Sequence, residues 1–208
     1  MVSDITVLKF GSSVLPSPEH LSDAVHEIYR HLRRGRHVIA VVSAFEGVTN
    51  RLMRDAEQHS PCLAPHALAS LAATGEQSAA SQMAMALAKY GIPARLADPR
   101  EIEFTAAGPP LEADLFHLDP EILVRLFESV SVVVLPGFFA KDAQGRCVLL
   151  GRGGSDQSAL FVANTLSAEC VLLKDVQGIY DRDPFDAGPR PFASTGSVGL
   201  TLRPSPAI

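Results

Sequence analysis

Four short stretches combine small residues with a charge or a hydroxyl. Lys9-Phe10-Gly11-Ser12-Ser13 sets an ammonium beside backbone that glycine and small serines leave open. N–H groups freed in this way can point at an anion, which makes the stretch a phosphate cradle in kind, though not a G-x-x-x-x-G-K loop. Gly151-Arg152-Gly153-Gly154-Ser155-Asp156 pairs two adjacent glycines with a guanidinium. Such a loop admits close approach of a ligand, and Arg152 has the fork that grips a carboxylate or phosphate. Ser155 or Asp156 is placed to cap a helix whose amino end favours an anion. Gly75-Glu76-Gln77-Ser78 puts a carboxylate inside, or just before, a helix of Ala, Met and Leu. Asp175 to Pro184, following Lys174, turns at Gly178 and offers Tyr180 for stacking or hydrogen bonding over a nucleotide. Each stretch also has an ordinary reading: a snorkelling strand-end lysine, a hairpin exit, a solvated helix face and a surface loop.

What must position these groups is legible in the apolar pattern. Ile5–Phe10, residues 38–42, 131–135 and 171–174 are short apolar runs of β-branched character, the mark of strands covered on both faces. Between them, Leu21, Val25, Ile28 and Leu32 recur on one helical face after Ser17-Pro18, which offers a cap and a first-turn proline. Helices are expected from about Thr49, over 67–89 with Gly75 interrupting, from Pro120 to about 129, and over 155–166. A short strand is expected at 92–96 and a hairpin at 141–149, turning at Asp142 to Gly145. Residues 98–119 read as an irregular excursion with short strand pieces, and residues 186–208 as an irregular tail. Strands alternating with helices imply an α/β fold, a mostly parallel central sheet sandwiched between helices in three layers. The whole chain, 1–208, reads as one domain. Ligands of such sheets bind at the carboxyl ends of the strands, and the residues that follow the four strands, 9–13, 43–50, 136–156 and 174–181, all include small or polar side chains.

Composition sets limits. The 208 residues are 47% apolar and 20% charged, which is globular rather than disordered. Lys plus Arg total 18 against 23 Asp plus Glu, a net charge of −5 that disfavours nucleic acid as the main partner. No apolar run is long enough for a membrane span, and the amino terminus enters a strand without a secretory pattern. Cys62, Cys147 and Cys170 show neither metal nor disulfide spacing and read as reduced thiols of a cytoplasmic protein. The seven histidines are scattered, without a metal-binding pattern.

Taken in order, these pieces resemble the amino acid kinase family, most closely its aspartokinase branch. Lys9 to Val14 resembles K-F-G-G-(S/T)-S-V, and Val41 to Asn50 follows V-V-S-A-x-x-G-x-T-(D/N) without a mismatch. Gly75-Glu76 stands for a G-E motif, and Gly137-Phe138-Phe139-Ala140 with Leu150 to Asp156 for G-F-x-A and L-G-R-G-G-S-D. Asp175 to Pro184 matches D-V-x-G-(I/V)-Y-x-x-D-P. The resemblance implies ATP- and Mg²⁺-dependent phosphoryl transfer to the side-chain carboxylate of aspartate, giving an acyl phosphate. It gives Lys9 the transferring phosphoryl group, and Gly11, Ser12 and Ser13 the phosphates. Thr49, Glu76, Arg152, Gly153, Gly154 and Ser155 would contact the amino acid, Arg152 taking its carboxylate and Glu76 its ammonium. Asp156 would order the groups around Lys9, while Lys174, Asp175 and Tyr180 would lie around the nucleotide. The metal would travel with the nucleotide, without a protein site of its own. Such chemistry relies on positioning and charge and needs no unusual nucleophile.

The pattern departs from the family in places. Ser12 replaces the second glycine, as in the glutamate kinases of the same superfamily, which keeps glutamate or another small carboxylate as an alternative substrate. Phe185 stands where aspartokinases carry arginine, and the later G-A-K-V-L-H-P block and the regulatory domains are not seen. A second alternative is therefore a nucleotide- or effector-binding module of weak activity that works with a separate regulatory partner. The Ala- and Met-rich segment 78–88 is expected to be core or the face of a homodimer.

Overall fold

A computed structural model describes residues 4–59, 64–174 and 200–204. The chain runs β1 (Ile5–Phe10), α1 (Leu21–Leu32), β2 (His37–Val42), α2 (Val48–His59), α3 (Pro65–Lys89), β3 (Ala94–Leu96), β4 (Thr105–Ala107) and β5 (Asp114–His117). It continues through α4 (Pro120–Leu126), β6 (Val132–Pro136), β7 (Phe139–Lys141), β8 (Cys147–Leu149), α5 (Gly154–Thr165), β9 (Glu169–Lys174) and β10 (Leu200–Pro204). Six strands form one parallel sheet in the order β10-β9-β1-β2-β6-β3. A smaller sheet, β5-β4-β7-β8, is antiparallel except where β4 meets β7.

The four central strands, β9, β1, β2 and β6, are buried on both faces because they are apolar at nearly every position, and period-two alternation then divides them between two cores. On one face, Val7, Ile39, Val41, Val133 and Leu172 pack with Ala159, Val162 and Ala163 of α5 and Leu123 of α4. On the other, Leu8, Val38, Ala40, Val134 and Val171 pack with Val25 and Ile28 of α1 and Ala79, Ala80, Met83 and Leu87 of α3. This is the three-layer α/β sandwich expected.

Several local expectations need correction. Gly75 does not interrupt α3, which runs unbroken over 25 residues. A Cβ there would lie 3.1 Å from Val48 Cγ1 and 3.3 Å from Ala44 Cβ, so glycine lets α2 approach rather than breaking the helix. Ser17 does not cap through its side chain: its hydroxyl meets His20 Nδ1 at 3.0 Å, and a 3-10 turn at Pro18–His20 precedes α1. Within the stretch expected to be an irregular tail, Leu200–Pro204 adds a parallel strand to β9 at the sheet edge, where proline is tolerated. No helix of the described residues is long and apolar enough to cross a membrane.

Candidate active site

The carboxyl ends of β1, β2 and β6 and the amino ends of α2 and α5 surround a cleft of about 280 Å³. Lys9 stands near the end of β1 and is 5% exposed. Its Nζ lies 2.7 Å from Asp156 Oδ1, and Lys174 Nζ, at the end of β9, lies 2.8 Å from Asp156 Oδ2. Register explains the convergence. Lys9 is paired across the ladder with Leu172, two residues before Lys174, and α5 lays Asp156 over both strands. Two ammonium groups thus share one carboxylate and leave one positive charge over.

Burial pushes the Lys9 ammonium below its ordinary pKa, an effect that Asp156 opposes. Burial works on Asp156 in the opposite sense, yet Lys9 and Lys174 together hold its carboxyl below the usual range. Gly11 is the neighbour that gives Lys9 its place: a Cβ on residue 11 would sit 2.7 Å from Lys9 Nζ.

The loop into α5 is shaped by glycine. Gly151 and Gly153 adopt φ of 70° and 71°, and Gly153, not Ser155 or Asp156, is the N-cap residue of α5. With the cap supplied by left-handed glycine backbone, both side chains fall in the first turn and face sideways. Asp156 reaches the lysines, and Ser155 Oγ meets Ser43 Oγ at 2.7 Å across the end of β2. Gly137 allows this, since a Cβ there would be 2.6 Å from Ser155 Cβ.

Glu76 is the other charged group in the cleft. It lies mid-helix in α3, 4% exposed, not on a solvated face. Burial pushes its carboxyl up to about 8, against a hydrogen bond donated by the Ala44 amide and the charge of Lys9. Its Oε2 finds no hydrogen-bond donor among the described residues. A buried carboxylate with an open lone pair is a receptor for a cation or an N–H donor.

Of the residues singled out in the sequence, Lys9, Ser12, Thr49, Glu76, Arg152, Gly153, Gly154 and Ser155 line the cleft. Asp156 and Lys174 join it through Lys9, and Gly11 from behind; Ser13 Oγ lies 4.0 Å from where a Gly11 Cβ would stand. Asp175 and Tyr180 lie outside the described residues. Ser43, Phe45, Asn50 and Phe138 also line the cleft. They fall within the quoted blocks, and the signal that marks them is their place just beyond the carboxyl ends of β2 and β6 or, for Asn50, in the first turn of α2. No group of three or more potential metal-ligating side chains occurs among the described residues.

The profile of the amino acid kinase family matches residues 4–190. The chain is 33% identical over 181 residues to an aspartate kinase of Stutzerimonas stutzeri, covering 86% of this chain and 44% of that protein. An aspartokinase of Pseudomonas aeruginosa matches with the same identity and coverage. The chain thus spans less than half the length of these relatives. Among solved structures, aspartate kinase from Synechocystis superposes with a TM-score of 0.74 at 29% identity, over 86% of this chain and 29% of that one. Aspartokinase III of E. coli, in complex with aspartate and ADP, superposes with a TM-score of 0.78 at 20% identity, over 91% and 53%. By the sequence match over residues 4–190, and by the fold of its described residues, the chain belongs to the amino acid kinase family.

Proposed function

We propose that the chain phosphorylates the side-chain carboxylate of aspartate with ATP, as a cytoplasmic step of amino-acid biosynthesis. The observation that carries this reading is the surplus positive charge of Lys9 and Lys174 around Asp156, beside a cleft that also holds Glu76. In the reaction a carboxylate oxygen of the substrate attacks the terminal phosphorus of ATP. The bond to the ADP oxygen breaks, leaving an acyl phosphate and ADP. Lys9 takes the charge on the transferring group, and Asp156 keeps its ammonium protonated and aimed. Gly11, Ser12 and Ser13 offer backbone donors to the phosphates, and Lys174, Asp175 and Tyr180 serve the nucleotide.

At the other end Arg152 pairs with the substrate's second carboxylate, and Thr49, Gly153, Gly154 and Ser155 fix its orientation. Glu76, mostly protonated at neutral pH in the free site, ionises as the substrate ammonium arrives. Mg²⁺ fits this site as a companion of the ATP phosphates, whose charge it offsets; Asp156, committed to two lysines, is not free to hold it alone. The relatives named as aspartate kinases favour aspartate over the alternatives. One observation keeps a second substrate in play: Ser12 lines the cleft at a position where the aspartokinase pattern has glycine, so glutamate or another small carboxylate is the competing substrate.

Met85, exposed on α3, and Tyr90, exposed just past its carboxyl end, support a homodimer through that helix, and a separate chain is the candidate for regulation. An ADP-release assay over aspartate, glutamate and related carboxylates, with Lys9→Ala as baseline, tests the proposal. ATP binding without turnover of any of them would convert the reading to a binding module.

A further inference from the structure

Phe138 joins the parallel sheet to the small sheet, and it is one of four non-glycine residues with positive φ among the described residues, at 69°. A bulky residue held there carries strain that its surroundings must offset. Its ring borders the cleft and covers Gly154, where a Cβ would lie 2.8 Å from Phe138 Cδ2. Its carbonyl accepts from the Leu150 amide at 2.9 Å, at the entry to the glycine loop. Its amide donates to Ser158 Oγ at 3.2 Å. Ser158 is fully buried, and its hydroxyl donates in turn to the Gly154 carbonyl at 2.9 Å. A serine bonding four residues back is common in helices. A hydroxyl that also accepts from a strained turn on another element is not explained by the helix. One oxygen here ties that turn to the first turn of α5, from which Ser155 and Asp156 project.

We propose that Ser158 is a positioning residue: its hydroxyl locks the left-handed turn at Phe138 onto the amino end of α5 and so sets the substrate end of the cleft. The substrate part of this inference rests on the function proposed above; the coupling of the two turns does not. Ser158→Ala removes the link, and Ser158→Thr restores a hydroxyl in a rotamer that still reaches the carbonyl four residues back.

The test compares the full chain with both variants by residue-resolved hydrogen exchange and by steady-state kinetics. In Ser158→Ala, exchange of the Phe138 amide is expected to quicken about tenfold, the equivalent of one hydrogen bond of ordinary worth. The amides of 152–156 follow it, while those of β6 and β9 stay within about twofold. The KM for aspartate rises about tenfold, with kcat and the KM for ATP within about twofold. Ser158→Thr returns both readouts toward the parent. Faster exchange at Phe138 alone, equal rises in both KM values, or an alanine variant indistinguishable from the parent overturns the proposal. If the parent turns over no aspartate, the proposed function fails separately and the exchange pattern decides the coupling. Should Ser158→Ala not fold, Ser158→Cys, nearly isosteric with a much weaker hydrogen bond, is read by the same criteria.

Discussion

Strands β1 and β9 lie side by side and carry an ionic contact at each end. At the amino end Arg36 reaches Glu169 of β9 and, at 2.8 Å, the hydroxyl of Thr6 of β1. At the carboxyl end Lys9 of β1 and Lys174 of β9 converge on Asp156. The first is one cation to one anion, each side chain about a third exposed, with one guanidinium nitrogen, Nη1, donating to both carboxylate and hydroxyl. The second is two cations to one anion, with Lys9 almost wholly buried. A balanced, solvated pair fastens a strand edge and asks for nothing more. An unbalanced, buried group keeps an unmet demand for negative charge, in a place where water screens it least. The same two strands thus serve as a fastening at one end and as a seat for an anion at the other.

The contrast is broken most severely at Lys9. Lys9→Met is expected to leave the fold intact and to cut turnover roughly 10²- to 10³-fold, the scale of losing one preorganised electrostatic group. A coupled assay beside thermal melting checks both halves.

Asp156→Asn comes next. It strands two ammonium groups side by side and costs about 1–3 kcal/mol, between the values for exposed and fully buried pairs. Denaturant titration reads the loss, and the midpoint should recover when Lys174 is also changed to Met.

Glu76→Gln sharpens the charge argument through pH. A carboxyl raised to about 8 in the folded chain, from an ordinary value near 4.5, favours folding when protonated. That contribution is complete below about pH 4.5 and fades as pH rises through about 8, where the folded state must hold a buried anion. The parent is therefore expected to lose stability relative to Glu76→Gln across that window in melts at stepped pH. The same variant should bind aspartate about tenfold more weakly, since a neutral amide cannot ionise for an ammonium.

Smallest is Arg36→Ala at the balanced end, with a stability loss of about 0–1 kcal/mol and unchanged turnover. A loss of activity there would show that the two ends are not independent.

The sheet was legible where burial is complete. The runs at β1, β2, β6 and β9 are apolar at nearly every position, and the 4-3-4 spacing of Leu21, Val25, Ile28 and Leu32 marks α1. Misreadings fell on glycine and on caps. Gly75 looks like a breaker in sequence, because propensity does not record that Ala44 and Val48 press against it. Ser155 and Asp156 look like caps, because nothing local announces that Gly153 will take a left-handed conformation and release them. The pairing of β4 with β7 joins segments more than thirty residues apart and escapes a local pattern. In the site, Lys9, Glu76 and Arg152 were marked by type and position, and the role of Asp156 beside Lys9 followed from family resemblance. The contact of Ser43 with Ser155 and the buried hydroxyl of Ser158 depend on tertiary approach, and a single sequence carries no sign of them.

The strand order has a consequence for how the molecule is made. β1 is synthesised first among the elements, yet its neighbour on one side is β9, so Thr6 waits for Glu169. At roughly 5–20 residues per second, the ribosome leaves that edge of β1 without its partner for about ten seconds or more. β2 covers the other flank well before then, and β6 adds to the far side of β2. For that interval the nascent chain presents an open parallel edge bearing Lys9, and a charge on an unpaired edge discourages pairing with strangers. The lysine that marks the cleft in the finished protein is also suited to guard the unfinished sheet.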